Sequence, residues 1–159
     1  MYHERQRLSR CAVHALNNFF QRPEVTVQEL ESIAHSLCPS VLFNPHKSIF
    51  QWGNYDVNVI GIALERRGYQ IDWFDQRRSL RDLPTDVEAF LINFKCWSSY
   101  IPFKRTRHWV CVLNMDGAYI DMDSKLDEPR ELRFGDFIHY LQSLEDLQVL
   151  EITPCTSKS

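Results

Sequence analysis

The stretch VNVIGIALERRGYQIDWF, residues 57–74, marks the point where the chain changes from a helical to a strand pattern. Apolar residues recur at helical spacing up to Gly68, a residue typical of a helix end. Beyond Gly68 the pattern alternates and places Tyr69, Ile71 and Trp73 on one face of a predicted strand. Helical patterns lie mostly before this stretch and strand patterns mostly after it, an order that favours an α+β fold over an alternating parallel sheet.

Two further helices are predicted upstream of residue 57. The first begins at Ser9 or at the following residue and ends at Gln21, shortly before a proline. Thr26 and Glu29 have the spacing of a capping box at the start of the second helix. Asp56 is predicted to cap the third helix, which contains the first half of the quoted stretch.

The hairpin signal in the second half of the chain is Asp116-Gly117, which lies between two strand patterns. We predict strands at 69–74, 88–94, 108–114, 118–123 and 147–152, a helix at 134–144, and loops at 41–54 and 95–107. No linker, repeat or low-complexity tract interrupts the chain. We therefore expect one domain over residues 1–155, with N-terminal helices packed on a mainly antiparallel sheet, and a short polar tail at 156–159.

The composition limits the classes of function. The chain has 159 residues, of which 44% are hydrophobic, enough for one domain with its own core. Its formal net charge of −3 leaves no basic surplus for a phosphate backbone, so nucleic acid is not an expected partner. No apolar run is long enough to span a membrane, and the charged N-terminus does not resemble a signal peptide.

The number and spacing of the cysteines indicate a protein of a reducing compartment. Their number is odd and their spacing irregular, which does not suggest a disulfide framework. We therefore expect a cytoplasmic protein, and composition does not distinguish the cytoplasm from the nucleus. The five cysteines are Cys11, Cys38, Cys96, Cys111 and Cys155.

Two cysteine–histidine pairs have a spacing that zinc ligands on one helix face also have. They are Cys11 with His14 and His35 with Cys38. No Cys-x-x-Cys pair accompanies them, so we expect neither a metal nor another cofactor. His14 is interpreted as a core histidine or as one that supports the site.

Cys11 stands at the start of the first predicted helix, where the helix dipole and free backbone N–H groups stabilise a thiolate. Arg7 and Arg10 add positive charge beside it. Five residues upstream, the Gln6 amide is a donor suited to the same oxyanion as the Cys11 N–H. Local sequence alone leaves an alternative open, in which Cys11 is a small buried residue and the arginines form a solvated face.

The predicted hairpin brings a histidine and an aspartate together. If Asp116-Gly117 forms a two-residue turn, His108 faces Lys125 and Asp123 is its diagonal neighbour on the same face. Asp121 has the same parity but lies one step further away, and a one-residue slip would move both aspartates to the other face. The register therefore favours Asp123 over Asp121 as the partner of His108, with the imidazole Nδ1–H as the expected donor.

Gln6, Cys11, His108 and Asp123 together match the roles found in papain-type cysteine hydrolases: oxyanion donor, nucleophile, base and orienting carboxylate. Each residue alone has an ordinary structural interpretation. His108 is then a strand histidine bonded to backbone, and Asp123 is a turn residue. The combination is more specific than any one member.

Four segments resemble the Josephin family of cysteine deubiquitinases, most closely its small single-domain members. They are YHERQRLSRCAVHALNN (2–18), GNYDVNVIGIAL (53–64), RHWVCV (107–112) and YIDMDSKL (119–126), and they occur in the family's order. The resemblance covers the chain from about Tyr2 to Thr153. It implies a papain-like α+β fold and hydrolysis of the bond between the ubiquitin C-terminus and a lysine amine.

By the same resemblance, Cys11 is the nucleophile, His108 the base and then acid, Asp123 the orienting residue and Gln6 the oxyanion donor. The larger, tailed relative has asparagine in place of Asp123 and a longer arm in place of residues 39–53, where it helps to gate the site.

The third helix carries the positions that match the family's ubiquitin contacts, Val57, Asn58 and Arg67, and the last of these is aromatic in the larger relative. The expected partners are ubiquitin or polyubiquitin conjugates, and the expected form is a monomer. Two other functions remain as alternatives. One is a catalytically weak or inactive ubiquitin-binding module, and the other is a papain-like hydrolase or transferase acting on another acyl group.

Overall fold

The structure, a computed structural model, describes residues 1–7, 10–37, 56–99 and 101–156. The predicted loop at 41–54, the segment 39–53 and the predicted cap Ser9 lie outside these residues. The helices are α1 (Cys11–Phe20), α2 (Val27–Leu37), α3 (Val57–Glu65) and α4 (Phe134–Gln142), with a 3-10 turn at Leu80–Asp82. The strands are β1 (Tyr69–Trp73), β2 (Ala89–Trp97), β3 (Arg105–Met115), β4 (Ala118–Asp121), β5 (Arg130–Leu132) and β6 (Glu145–Pro154).

The six strands of the described residues form one sheet in the order β1-β6-β2-β3-β4-β5. Every neighbouring pair is antiparallel. Three helices precede this sheet in the chain, so the predicted α+β class is confirmed. The long last strand lies between β1 and β2, where it joins the first strand to the centre of the sheet.

Alternate residues of the central strands face two separate hydrophobic clusters. Leu91 and Leu150 pack with residues of α1, α2 and α3 on one face of the sheet. Phe90 and Val149 pack with residues of α4 on the other. Because β2 is buried on both faces, its sequence is a nearly continuous apolar run rather than an alternating one.

The predicted caps of α2 and α3 are present. The Asp56 carboxylate accepts hydrogen bonds from the first-turn N–H groups of Asn58 and Val59, at 3.0 and 3.2 Å. The Thr26 hydroxyl accepts the Glu29 N–H at 3.2 Å. Each cap pairs N–H groups that have no acceptor within the helix, and so fixes where the helix begins.

The start of α1 differs from the prediction. The helix begins at Cys11, one or two residues later than expected, and Arg10 occupies the N-cap without a side-chain cap hydrogen bond. Arg10 has φ −94° and ψ 42°, which is not helical. Cys11 is therefore the first helical residue.

The hairpin between β3 and β4 has the predicted turn. Met115 pairs with Ala118, and both turn residues have positive φ, 53° at Asp116 and 87° at Gly117. Two positive φ values define a type I′ turn, whose twist matches that of the flanking strands. The register continues to Asp121, opposite Val112.

The loop predicted at 95–107 is shorter than expected, because β2 and β3 extend into it. Trp97 pairs with Arg105 at the end of the ladder. Their side chains also interact, with the guanidinium 5.0 Å from the ring centroid, and Arg105 forms an ion pair with Glu145 of β6. Cross-strand contacts of this kind stabilise a polar, exposed strand end that has no hydrophobic pattern to reveal it.

Candidate active site

Cys11 is buried at the N-terminal end of α1, with 3% of its surface exposed. As the first helical residue it has a backbone N–H without an acceptor inside the helix. The positive end of the helix dipole favours a thiolate at this position. Cys11 thus places a thiol and a backbone N–H without a helical acceptor at the same end of the helix.

His108 lies on β3 between a carboxylate and this thiol. Its Nε2 is 2.7 Å from Asp123 Oδ1, and its side chain also hydrogen-bonds to the Cys11 side chain. The nitrogen that faces Asp123 is thus Nε2 and not the predicted Nδ1. The ring of Phe94, on the neighbouring strand, stands perpendicular to the imidazole at 5.6 Å between centroids and fixes its plane.

Opposing influences set the pKa of His108. Burial alone lowers it, but the hydrogen bonds to Asp123 and Cys11 and the charges of both groups raise it to about 9. For Asp123, burial raises the pKa of the carboxyl group. The hydrogen bond to His108 and the charge of His108 lower this pKa by more, so the net change is a decrease. These directions favour an imidazolium paired with an ionised Asp123 at neutral pH.

The structure places Asp123, and not Asp121, against His108. Asp121 is completely buried. One of its oxygens lies 2.6 Å from Arg130 Nη2, and the other accepts the Asp123 N–H at 3.0 Å. Asp123 Oδ1 accepts the Lys125 N–H at 2.9 Å in addition to the imidazole. The two aspartates thus have different functions, because Asp121 holds the backbone of the turn that presents the Asp123 carboxylate.

Gln6 approaches the same turn from the N-terminal segment. Its N–H donates to the Ser124 carbonyl at 2.7 Å, and its Oε1 lies 3.5 Å from the Ser124 hydroxyl. With Oε1 directed at Ser124, the Nε2 donor is the other end of the amide. The structure thus brings all four predicted catalytic residues into two connected groups, Cys11–His108–Asp123 and Gln6–Ser124.

An N-terminal strap, residues 2–7, runs along the polar face of α1. The Gln21 amide bonds to Tyr2 at one end of the strap, and the Arg7 N–H donates to His14 Nε2 at the other, at 3.1 Å. At the centre, Asn18 bonds to the backbone of Glu4, and His3 bonds to the Asp123 carbonyl at 3.0 Å. Sequence analysis missed the strap, although polar residues at 14, 18 and 21 form a helical stripe on an otherwise apolar helix.

His14 has a structural role in this strap. It is 5% exposed, its Nδ1 lies 2.8 Å from the Glu4 carboxylate, and its Nε2 accepts the Arg7 N–H. This agrees with the interpretation of His14 as a histidine that supports the site. Among the described residues, no group of three or more metal-ligating side chains could hold a metal ion.

The chain matches the Josephin family over residues 6–152. The chain belongs to the Josephin family. It is similar to a Josephin-like protein of Drosophila melanogaster, 40% identical over 172 residues that cover 100% of this chain and 78% of the relative. Human Josephin-2 is 42% identical over 137 residues, covering 83% and 72% of the two chains. An Arabidopsis thaliana Josephin-like protein is 36% identical over 154 residues, covering 86% and 42%.

The Josephin domain is known as a ubiquitin-related cysteine protease domain. Its family membership and the papain-like arrangement of helices and sheet agree with the resemblance seen in the sequence. No helix in the described ranges has the length and apolar character needed to cross a membrane.

The three predicted ubiquitin contacts of this Josephin domain lie on α3 or just beyond its end. Val57 is half-buried and Asn58 exposed in the first turn. Arg67 forms ion pairs within the protein, since its guanidinium lies 2.8 Å from Glu29 and 3.1 Å from Glu24. Its side chain is only 18% exposed. Arg67 thus fastens α3 to α2 and to the end of α1.

Proposed function

We propose that this Josephin-family protein is a thiol-dependent deubiquitinase that cleaves the isopeptide bond at the ubiquitin C-terminus. The observation that carries this proposal is the 2.7 Å contact between His108 Nε2 and Asp123 Oδ1, with Cys11 hydrogen-bonded to the same imidazole. Cys11, His108 and Asp123 thus supply a nucleophile, a base and an orienting group, each in contact with the next. The substrate class follows from the family, and the fold by itself does not specify it.

In the first half of the reaction, the Cys11 thiolate donates an electron pair to the carbonyl carbon of the last ubiquitin residue. The carbonyl π electrons move to oxygen, and the resulting oxyanion accepts hydrogen bonds from the Cys11 N–H and from Gln6 Nε2. His108, protonated because of its raised pKa, gives its proton to the departing lysine amine. The C–N bond breaks and a thioester to Cys11 remains.

In the second half, neutral His108 removes a proton from water, and the hydroxide attacks the thioester carbonyl. The oxyanion forms again at the same two donors. The C–S bond then breaks, releasing the ubiquitin carboxylate and the thiolate, which pairs again with the imidazolium. Asp123 holds the ring throughout and stabilises its positive charge, and no metal or cofactor takes part in any step.

The proposed partners are ubiquitin and polyubiquitin conjugates, bound by a monomer in the cytoplasm or the nucleus. Val57 and Asn58 are the proposed contacts on α3, because neither side chain is fully buried. Arg67 is proposed to act with them through its position at the end of the same helix. Its internal ion pairs favour a role in holding the surface rather than direct contact.

Incubation with ubiquitin carrying a C-terminal electrophile, followed by intact mass spectrometry, tests the proposal. We expect a one-to-one adduct that Cys11→Ala abolishes and that Cys155→Ala, at an exposed free thiol, retains. Hydrolysis of a ubiquitin fluorogenic substrate should follow the same pattern. A protein that binds ubiquitin normally but forms no adduct would instead be a binding module, and a reactive Cys11 that ignores ubiquitin would indicate another acyl substrate.

A further inference from the structure

Asn18 is a completely buried polar residue on the helix that carries Cys11. Its Oδ1 accepts the Glu4 N–H at 2.5 Å. Its Nδ2 donates to the Met122 carbonyl at 2.9 Å and to the Glu4 carbonyl at 3.3 Å. All three hydrogen bonds are to backbone atoms distant in sequence, and none of these bonds of the Asn18 amide is to a residue of α1.

These bonds connect three of the four parts of the chain that supply the proposed catalytic groups; the fourth is β3 with His108. α1 itself carries Cys11. Glu4 lies two residues before Gln6, and Met122 immediately precedes Asp123. A single side chain therefore fixes the strap with the oxyanion donor relative to both the nucleophile and the orienting carboxylate.

The strap and the turn keep different hydrogen bonds when Asn18 is removed. Without Asn18 the turn keeps the Met122 N–H bond to the Cys111 carbonyl, at 2.9 Å, and the Asp121 bond to the Asp123 N–H. The strap would lose both backbone hydrogen bonds between Glu4 and α1. It would keep the contact of the Glu4 carboxylate with His14, the contacts at its two ends and the bonds of His3 and Gln6 to the turn. Loss of Asn18 should therefore loosen the strap, and with it Gln6, relative to Cys11 on α1, while Asp123 keeps its own bonds to His108 and Asp121.

We propose that Asn18 is a positioning residue for the oxyanion donor, acting through the strap on Gln6. The inference rests on the proposed function, in which Gln6 Nε2 stabilises the oxyanion. Ser124 provides the second attachment, since its carbonyl and hydroxyl meet the Gln6 N–H and Oε1. With the strap fixed at Asn18 and the side chain oriented at Ser124, the Gln6 amide is prepared before substrate binds.

Asn17 provides the matched control. It is the adjacent asparagine on α1, also buried at 3% exposure, and its Oδ1 accepts the Val25 N–H at 2.7 Å. It thus supports the chain beyond the helix and does not hold the strap. Alanine substitution at either position removes a buried amide from the same helix, so a general loss of stability is common to both variants.

The experiment compares Asn18→Ala, Asn17→Ala and Gln6→Ala by three measurements: kcat and KM for a ubiquitin substrate, the rate of Cys11 alkylation by iodoacetamide, and Tm. Alkylation needs the thiolate but forms no oxyanion, so it reports the Cys11–His108 pair alone. We expect Asn18→Ala to lower kcat by about 10- to 100-fold, somewhat less than loss of an oxyanion donor, with alkylation changed less than about twofold. Asn17→Ala should lower Tm and leave both rates near wild type.

The double variant Gln6→Ala/Asn18→Ala makes the test specific. If Asn18 acts through Gln6, the double variant should be no slower than Gln6→Ala. Multiplicative losses, or an unchanged kcat in Asn18→Ala, would overturn the inference while leaving an active deubiquitinase. A wild-type protein without ubiquitin hydrolysis would overturn the proposed function and this inference together. If circular dichroism shows that Asn18→Ala is unfolded, Asn18→Ser serves instead, because its hydroxyl is too short to span to both Glu4 and Met122.

Discussion

His108 keeps its proton although burial lowers its pKa, because its hydrogen bonds and charge interactions with Asp123 and Cys11 favour the protonated ring. With a pKa of about 9, raised from 6.5, the imidazole is protonated at neutral pH and loses its proton only in the alkaline range. The proposed mechanism uses this proton for the departing amine. The pH dependence of the reaction therefore reports on the contacts of one residue.

We expect kcat/KM for a ubiquitin substrate to fall as pH rises through about 9. Asp123→Asn keeps an acceptor for the imidazole but removes a negative charge, so it should lower the His108 pKa and move this decline to lower pH. Asp75→Asn, which changes an exposed carboxylate paired with Arg77, should leave the profile in place. Identical profiles for the wild type and Asp123→Asn would show that the carboxylate does not set the His108 pKa.

At the scale of elements, the β3–β4 hairpin decides which residues of its two strands meet. Its turn needs positive φ at both Asp116 and Gly117. A Cβ at Gly117 would meet no atom within 4 Å, so the constraint there is backbone conformation and not space. The turn sets the pairing of β3 with β4, and through it the approach of Asp123 to His108.

Gly117→Ala should destabilise the protein by about 1–2 kcal/mol, the usual cost of placing an L-residue in the left-handed region. Gly135→Ala is the control, because its Cβ also meets nothing within 4 Å and its φ is not positive. Since Gly135 lies in the first turn of α4, alanine there should be neutral or slightly stabilising. Urea denaturation of both variants measures the difference, and equal effects would show that φ at Gly117 imposes no cost.

At the scale of the whole molecule, the two hydrophobic clusters share the strands β2, β3 and β6. Phe90 is fully buried on the α4 face and contacts the rings of Tyr119 and Phe137, with centroids 6.2 and 5.6 Å away. Its neighbour Leu91 faces the opposite cluster. Because the same strands form the floor of both clusters, damage to one should weaken the other.

Phe90→Ala should destabilise the fold by about 3–5 kcal/mol through lost burial and a cavity. Phe103→Ala, at a side chain 98% exposed, should change stability by less than about 0.5 kcal/mol. Trp109 packs in the cluster on the opposite face. When the other three tryptophans of the chain are replaced by phenylalanine, its fluorescence reports on the face away from the mutation. We expect fluorescence and far-UV circular dichroism to give one coincident urea transition in Phe90→Ala, and separate transitions would show that the two faces unfold independently.

Features that depend on neighbouring residues could be predicted from the sequence. Helix caps at Thr26 and Asp56, the change of period at Gly68 and the Asp-Gly turn all follow from local backbone chemistry. This turn fixes the register, so even the closeness of His108 to Asp123, 15 positions apart, could be predicted. A periodic pattern plus one defined turn is enough for such a contact.

Contacts between distant segments could not be predicted, because hydrogen bonds between such segments leave no periodic pattern in the sequence. Asn18 bonds to Met122 across 104 positions, and Gln6 approaches Ser124 across 118. The nitrogen of His108 that faces Asp123 depends on ring orientation, which the neighbouring strand and the thiol impose. The internal partners of Arg67 depend on how α2 and α3 pack. Buried polar groups need partners wherever the fold brings them, and only the packed chain shows which partners those are.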